Sequence, residues 1–297
     1  MLPEQCKPLR KQGYQFVRPD ASAAVKPCLW CKKALKDGDM CYKHQFYGIE
    51  SHRCVQMTPT LRCNQRCLFC WRSFEHVFPE ETECSPQEIV DAVPRLQKKA
   101  LSGYKVSPYV RKERFLEALD PKHVAISLSG EPTLYSRLPE LVTLFNEKGY
   151  TTFVVSNGTR PWVLEECNPF QLYVSLDAPE RETYLKVCRP DEDYWDYIMQ
   201  SLSMLGKKRS AIRITLVRGL NDHMPELYGR MVQDSGATYV EVKGYMFLGY
   251  SRKRLTRDRM PPHSHVRSFA EQVAACTDYE VLDENQASRV VCLERRR

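Results

Sequence analysis

The chain has 297 residues, of which 42% are hydrophobic and 27% charged, and its formal net charge is +7. This composition is typical of a globular protein with one large or two smaller domains, and it excludes a disordered or fibrous chain. No apolar run approaches the roughly 20 residues of a membrane helix, and the first residues lack a secretion signal, so we expect a cytoplasmic protein with no membrane partner.

Short apolar runs alternate with amphipathic stretches along most of the chain. A strand is predicted at 55–61 and a helix near 85–101; then follow strands at 123–128, 152–156, 171–177, 211–217 and 239–247, with helices at 138–149, 196–208 and 224–236 between them. This alternation predicts an α/β fold with a parallel sheet and right-handed crossovers. Six strands leave a closed barrel, an open barrel and a doubly wound sheet as alternatives.

Small, hydroxylated and acidic residues follow several of these strands: Ser129, Gly130, Glu131, Ser156, Asn157, Ser175 and Asp177. In parallel sheets, ligands bind beyond the carboxyl ends of the strands. Each residue alone is also an ordinary turn former. Their recurrence at equivalent strand ends indicates a polar ligand site.

Thirteen cysteines are an unusual number for such a chain, and nine of them lie in the first 84 residues. Disulfides are typical of small secreted domains, whereas clustered cysteines in a cytoplasmic protein more often bind metal. Cys63, Cys67 and Cys70 follow the first strand with spacings that suit three corners of a 4Fe–4S cube, which leaves one iron open. The alternatives are half of a zinc site completed by Cys54, or free core thiols.

The stretch CNQRCLFC (63–70) resembles the CxxxCxΦC signature of radical S-adenosylmethionine (SAM) enzymes, with Phe69 as the aromatic residue. The resemblance implies an incomplete TIM barrel of about six parallel strands with outer helices. It also implies a 4Fe–4S cluster on the three cysteines, with SAM on the open iron as the source of a 5′-deoxyadenosyl radical.

The same resemblance assigns roles to the residues at the strand ends. Ser129-Gly130-Glu131 is similar to the "GGE" element that holds the SAM amino group, with Ser in place of the first Gly. Ser156, Asn157, Ser175 and Asp177 are implied to reach the ribose and the methionine carboxylate. Phe69 is implied to flank the adenine.

Upstream cysteines indicate a second metal site. Cys28-x2-Cys31 followed by Cys41-x2-His44 has the spacing of a structural zinc site. The alternative is a second 4Fe–4S cluster on Cys28, Cys41 and Cys54. Residues from about 25 to about 270, including VSLDAPERETYLKVCRP (174–190), resemble the archaeal tRNA 4-demethylwyosine synthases, and this resemblance favours the second cluster.

Within that family the place of Cys31 is open: it is either a fourth ligand of the second cluster or a residue outside it. We expect an amino-terminal cluster-binding segment at 1–54 and a radical SAM core domain with a basic carboxy-terminal extension at 55–297.

The family resemblance implies a carbon–carbon lyase. The implied enzyme condenses N1-methylguanosine, next to the anticodon of tRNA-Phe, with pyruvate to form the tricyclic base 4-demethylwyosine. Lys43, two residues after Cys41, is either a lysine that forms a Schiff base with pyruvate or a surface lysine. No flavodoxin-like domain is recognisable, so an external protein is expected to supply electrons to a monomeric enzyme.

Two basic stretches agree with a nucleic-acid partner. Residues 1–36 have eight Lys or Arg against two acidic residues, and 251–267 have six against one. Such surfaces attract polyanions, although each is also typical of a solvated surface. Arg252, Lys253 and Arg254 are predicted to bind tRNA phosphates, and the candidates for stacking a base are Trp71, Tyr245 and Phe247.

Two other functions remain as alternatives at this stage. One is another radical SAM enzyme, an activase or a methylthiotransferase. The other is an RNA-binding protein stapled by zinc, with no catalytic activity.

Overall fold

The structure, a computed structural model, describes residues 7–74 and 82–296, and residue contacts divide them into two units. Unit 1 comprises 7–62, 82–155 and 166–170. Unit 2 comprises 63–74, 156–165 and 171–296. The predicted segment 1–54 therefore belongs to the same unit as the first parallel strands.

Unit 1 carries five strands in the order β1-β2-β3-β4-β5. The β1–β2 and β2–β3 pairs are antiparallel, whereas β3, β4 and β5 are parallel to one another. The strands are β1 (Gln15–Phe16), β2 (Ala24–Val25), β3 (Cys54–Thr58), β4 (His123–Ile126) and β5 (Thr151–Ser156). The helices are α1 (Lys7–Lys11), α2 (Leu29–Ala34), α3 (Tyr42–Tyr47), α4 (Pro86–Leu101), α5 (Lys112–Ala118) and α6 (Leu138–Glu147).

The parallel strands of unit 1 form its core because apolar residues occupy both of their faces. All four residues of β4 are buried, as expected for a parallel strand covered on both sides. Helix α4 begins with a capping box, in which Ser85 accepts from the Glu88 backbone while the Glu88 carboxylate accepts from the Ser85 backbone. The predicted helix near 85–101 is thereby confirmed.

Unit 2 carries the other five strands in the order β6-β7-β8-β10-β9. Strands β6, β7 and β8 are parallel, and β10 pairs antiparallel with both β8 and β9. The strands are β6 (Gln171–Ser175), β7 (Ser210–Leu216), β8 (Tyr239–Gly244), β9 (Tyr279–Asn285) and β10 (Val290–Arg295). The helices are α7 (Pro161–Glu166), α8 (Arg181–Cys188), α9 (Trp195–Ser203), α10 (Pro225–Ser235) and α11 (His263–Ala275).

The predicted α/β class and all six predicted strands are confirmed as the parallel strands β3 to β8. The antiparallel strands β1, β2, β9 and β10 were missed. Strands β1 and β2 have two residues each, too few for a periodic pattern. Strand β9 carries Asp, Glu and Asn, which are depleted in strands.

A search for a membrane-crossing helix among the described residues found none of sufficient length and apolarity.

Candidate active site

In unit 2, the cysteine triplet lies on an irregular stretch that is fixed to the end of α8. The Arg66 backbone N donates to the Cys188 carbonyl (3.0 Å), and the Leu68 backbone N donates to the Val187 carbonyl (2.9 Å). These two bonds bracket Cys67 and place it opposite the end of the helix. The pairing fixes the backbone of this irregular loop and thereby the positions of its thiols.

The thiols of the triplet differ in exposure, and the charge of Cys67 affects the pKa of Cys70. Cys63 is exposed, whereas Cys67 and Cys70 are half-buried. Burial raises the pKa of Cys70 to about 11, with a further contribution from Cys67. A hydrogen bond to Cys188 and burial raise the pKa of Cys67 well above its usual range. Such thiols stay protonated at neutral pH until a metal displaces the proton, and three soft thiolates suit iron–sulfur ligation.

Three of the residues predicted to bind SAM line one pocket in unit 2. Asn157, Ser175 and Asp177 contribute to the wall of this pocket. The other lining residues are Gln65, Leu176, Tyr184, Cys188 and Ile198. Three of the seven predicted strand-end residues are therefore brought together here, beside the loop that carries the triplet.

Asp177 is held in this pocket by the backbone of the neighbouring strand. Its Oδ1 accepts from the Thr215 backbone N (2.7 Å), and its carbonyl accepts from Asn221 Nδ2 (2.8 Å). Burial raises the pKa of Asp177 to about 6, although the Thr215 hydrogen bond and the charge of Arg213 oppose the shift. A carboxyl group in this state accepts a hydrogen bond or a proton from a polar ligand near neutral pH.

Ser156 and Asn157 shape the turn after β5. Ser156 is buried, and its Oγ accepts from the Gly158 backbone N (3.0 Å). The Asn157 Nδ2 donates to Asn64 Oδ1 (2.8 Å), and Asn64 Nδ2 donates to Thr159 Oγ1 (2.8 Å). This network ties the turn to the residue after Cys63.

In unit 1, the predicted Ser129-Gly130-Glu131 element packs against the backbone that leads into the triplet. Gly130 has φ +70°, and a Cβ on it would lie 2.6 Å from the Arg62 carbonyl oxygen. The Glu131 backbone N donates to that same carbonyl (2.7 Å), and the Ser129 carbonyl accepts from Thr58 Oγ1 (2.5 Å). Only glycine permits both this backbone conformation and this close approach.

The side chain of Glu131 is 2% exposed, and its Oε1 accepts from the backbone N (3.1 Å) and the Oγ1 (2.8 Å) of Thr133. These bonds fix the carboxylate in one orientation. Phe69 is half-buried in unit 2.

The upstream cysteines lie at the starts of three elements of unit 1. Cys28 precedes α2, and its Sγ accepts from the Cys31 backbone N (3.3 Å). Cys41 precedes α3, and Cys54 is the first residue of β3. Burial raises the pKa of Cys54, and the charges of Cys28 and Cys41 raise it further.

Cys31 and His44, the further ligands of the zinc alternative, have other partners. Cys31 is fully buried, with its Sγ 3.8 Å from the His52 carbonyl oxygen and 3.9 Å from Gln97 Nε2. His44 Nδ1 lies 3.0 Å from the Ile49 carbonyl oxygen. Across residues 7–74 and 82–296, no three His, Cys, Asp or Glu side chains converge closely enough to hold a single ion.

Lys43 faces these thiols from the first turn of α3. Its side chain is buried, with 8% exposure, and its Nζ lies 4.4 Å from the centroid of the Phe153 ring. The charge of Lys43 lowers the pKa of both Cys28 and Cys54, against the larger effect of burial. The surface-lysine alternative is therefore wrong.

The basic segment after β8 divides into two parts in unit 2. Arg252 and Lys253 are exposed, with their cationic groups 5.3 Å and 5.0 Å from the Phe247 and Tyr250 rings. Arg254 instead turns towards the triplet loop, where its Nε donates to the Leu68 carbonyl (3.2 Å).

Among the stacking candidates, Tyr245 is 2% exposed and its hydroxyl hydrogen bonds to Ser251 Oγ (2.9 Å), so it belongs to the core. Trp71 is 42% exposed, and Phe247 is half-buried. Trp71 is therefore the most accessible of the three.

Gln65, Tyr184 and Cys188 are pocket residues that sequence reasoning missed. Gln65 Nε2 donates to the Tyr184 hydroxyl (3.1 Å), and Gln65 Oε1 lies 3.4 Å from Cys67 Sγ. Cys188 lies in the stretch 174–190 that carries the family resemblance. Its distance along the chain from other cysteines does not match a metal-ligand pattern, so nothing in the sequence indicated a role at the site.

Comparisons with known proteins show the family of this chain. The radical SAM superfamily model matches residues 57–231, and the model for wyosine base formation matches 234–295. An S-adenosyl-L-methionine-dependent tRNA 4-demethylwyosine synthase of Pyrococcus abyssi is 46% identical over 99% of this chain and 90% of its own. The protein of that name in Methanocaldococcus jannaschii is 41% identical over 99% of this chain and 97% of its own.

A solved structure described as "Structure of TYW1 with a lysine-pyruvate adduct bound" matches 99% of this chain and 97% of that chain. The TM-score is 0.91 at 39% identity. The predicted resemblance and the radical SAM fold are thereby confirmed. The chain belongs to the radical SAM superfamily and, within it, to the tRNA 4-demethylwyosine synthases.

Proposed function

We propose that this chain condenses N1-methylguanosine of tRNA-Phe with pyruvate to form 4-demethylwyosine, as a carbon–carbon lyase. The observation that carries the proposal is the burial of Lys43 beside Cys28 and Cys54 in a radical SAM protein. A buried lysine costs desolvation free energy, and a role in binding a carbonyl substrate accounts for its position.

The donor sets fit two iron–sulfur clusters. Cys63, Cys67 and Cys70 hold one 4Fe–4S cluster, and Cys28, Cys41 and Cys54 hold the second. With SAM bound, the first cluster would supply the 5′-deoxyadenosyl radical needed to remove hydrogen from the N1-methyl group. The burial of the thiols favours neutral groups in the cluster-free protein, so metal binding releases protons from them.

Lys43 binds pyruvate. Its amine nitrogen attacks the carbonyl carbon of pyruvate, and water leaves as the Schiff base forms. The Phe153 ring fixes the Nζ from one side, which limits the directions from which the carbonyl approaches. The related TYW1 structure with a lysine–pyruvate adduct supports this assignment.

SAM is bound by the residues that the family resemblance assigns. Gly130 and Glu131 serve its amino group, and the rigid orientation of the Glu131 carboxylate supports this role. Asn157, Ser175 and Asp177 serve the ribose and the methionine carboxylate from the unit 2 pocket. Ser129 and Ser156 support the backbone of the two turns.

The tRNA is bound through its phosphates by Arg252 and Lys253, both of which are exposed. Trp71 is 42% exposed and is the residue that we propose to stack on a base turned out of the anticodon loop. The Arg72 guanidinium already lies over its ring. The relatives are named as enzymes that act on tRNA, which supports this partner. We also propose that the enzyme is monomeric and cytoplasmic and receives electrons from a separate protein.

The test is product formation under anaerobic conditions. Reconstituted protein is incubated with SAM, a reductant, pyruvate and tRNA-Phe that carries N1-methylguanosine, and the digested tRNA is analysed by mass spectrometry. We expect the tricyclic nucleoside only in the complete reaction. The matched controls are omission of pyruvate, unmethylated tRNA and the Cys70→Ala variant. A complete reaction that cleaves SAM but leaves N1-methylguanosine unchanged contradicts the proposal.

A further inference from the structure

The segment that follows β8 docks on the end of the cysteine loop within unit 2. A 3₁₀ helix at Gly249–Lys253 carries the Tyr250 backbone N, which donates to the Trp71 carbonyl (3.0 Å). Gly249 has φ +55°, and a Cβ there would collide with that same carbonyl oxygen. Glycine at this position therefore permits the close approach of the two backbones.

Arg254, directly after this 3₁₀ helix, binds the loop through three carbonyl groups. Its Nε donates to Leu68 (3.2 Å), and its Nη2 donates to Cys70 and, at 3.4 Å, to Arg72. The guanidinium carbon also lies 4.1 Å from the centroid of the Phe74 ring. One side chain thus contacts four residues of 68–74.

The chemistry of arginine suits this arrangement. A guanidinium has five donors in a rigid planar fork, so it can hold several carbonyl groups at once, whereas lysine is a flexible point charge. Residues 68–74 form no helix or strand, so the Leu68, Cys70 and Arg72 carbonyl groups take hydrogen-bond partners from elsewhere in the chain. The guanidinium supplies those partners and stacks on an aromatic face at the same time.

We propose that Arg254 is a positioning residue of the triplet cluster: it fixes residues 68–74, and through them Cys70, and it does not bind tRNA. The proposal rests on the assignment of Cys63, Cys67 and Cys70 as cluster ligands. It separates Arg254 from Arg252 and Lys253, which precede it in the chain and point to solvent.

Removal of the guanidinium is therefore expected to weaken binding of the cluster by the triplet. Loss of a partner that orients a metal ligand typically weakens metal binding by about 10–100-fold. Arg254→Gln removes both the fork and the charge, whereas Arg254→Lys keeps the charge alone. Gly249→Ala disturbs the same loop from the Trp71 carbonyl, without touching any charge.

The experiment follows iron loss from the reconstituted holoenzyme after addition of a chelator. Each variant is compared with Arg257→Gln, which removes an exposed charge three residues further along. We expect Arg254→Gln to lose one set of about four irons on the order of tenfold faster than the control. Arg254→Lys and Gly249→Ala are expected to give intermediate rates.

Two further readouts distinguish positioning from other roles. The electron paramagnetic resonance spectrum of the reduced protein, with and without SAM, is expected to change in Arg254→Gln but not in Arg257→Gln. Affinity for an unmodified tRNA-Phe transcript is expected to be the same in these two variants. Wild-type protein that binds no iron at the triplet overturns the proposed function itself.

Iron loss in Arg254→Gln at the control rate overturns the inference, as does a selective loss of tRNA affinity with normal iron retention. If Arg254→Gln does not fold, Arg254→Lys and Gly249→Ala decide the matter, because control-like iron loss in both also overturns it.

Discussion

The ammonium of Lys43 lies 4.4 Å from the centroid of the Phe153 ring, with only 8% of the lysine exposed. A cation over an aromatic face is held there by electrostatic attraction. The charge of Lys43 also lowers the pKa of Cys28 and of Cys54, against the larger effect of burial. Lys43 is thus fixed in a position that a surface lysine does not adopt.

Borohydride reduction in the presence of pyruvate is expected to attach a stable adduct to Lys43, because it reduces the Schiff base to a secondary amine. Lys43→Arg keeps the charge but cannot form an imine, so it is expected to remain unmodified and to make no tricyclic base. The measurement is peptide mass mapping.

The control for Lys43 is Lys33→Arg, which alters an exposed lysine paired with Asp39 and is expected to behave as wild type. Iron content must stay the same in all three proteins. Normal turnover in Lys43→Arg contradicts a covalent role.

Cys31→Ala is expected to keep both clusters, with about eight irons per chain, because the Cys31 thiol faces the His52 carbonyl and the Gln97 amide in a hydrophobic cluster. The expected cost is about 1 kcal/mol in the free energy of unfolding, from the lost core contacts. Iron analysis of the purified variant is the measurement, with Cys54→Ala as the ligand control at about four irons. A value near four for Cys31→Ala makes Cys31 a ligand.

Stability is expected to fall as the pH drops from 7.5 to 5.5, in part because of His123. Burial lowers the pKa of His123 to about 4, below its unfolded value of 6.5, so the unfolded state binds the proton first. The contribution of the neutral ring is complete above pH 6.5 and is lost as the pH falls towards 4. Between the two pH values this amounts to about 1 kcal/mol.

The measurement is urea unfolding of the wild type and of His123→Gln at both pH values. The fall in the free energy of unfolding is expected to be smaller in the variant by that amount. Equal falls in the two proteins would show that His123 titrates alike in the folded and unfolded states.

Replacing both Arg252 and Lys253 by Gln is expected to weaken tRNA binding for every tRNA sequence. Contacts to phosphate release counterions, so the slope of log affinity against log salt is expected to shrink by about two. Filter binding over a salt series gives the slope. Arg230→Gln removes an exposed charge on α10 and serves as the control; an equal effect there would assign the binding to net charge.

The parallel strands could be predicted because each is an apolar run of a length that suits a buried strand, as in β4. The hairpin of β9 and β10 was missed because acidic residues interrupt the apolar pattern of β9. At the site, the spacing of Cys63, Cys67 and Cys70 predicted the triplet because it is a local property, whereas the upstream set of Cys28, Cys41 and Cys54 came from the family resemblance. Cys188 approaches Cys67 only through the tertiary pairing of 66–68 with 187–188.

Arg254 shows a different limit of sequence reasoning. In the sequence it is the third member of a basic run, and the run predicts a solvated, nucleic-acid-binding surface. In the structure, Arg252 and Lys253 are the last residues of a 3₁₀ helix and Arg254 comes directly after it. A 3₁₀ helix has three residues per turn, so successive side chains point in different directions. The composition of the run does not show which of its residues faces the protein.

The most direct test of the account follows the carbon atoms of pyruvate into the base. Parallel reactions use pyruvate labelled with ¹³C at the carboxyl carbon, or at both of the other carbons, and the tRNA digest is analysed by mass spectrometry. Because carbon–carbon cleavage is proposed to release the carboxyl carbon of pyruvate, we expect a tricyclic base that carries both labels of the doubly labelled pyruvate and no label from the carboxyl-labelled pyruvate. Retention of the carboxyl label, or a product without pyruvate carbon, would contradict it.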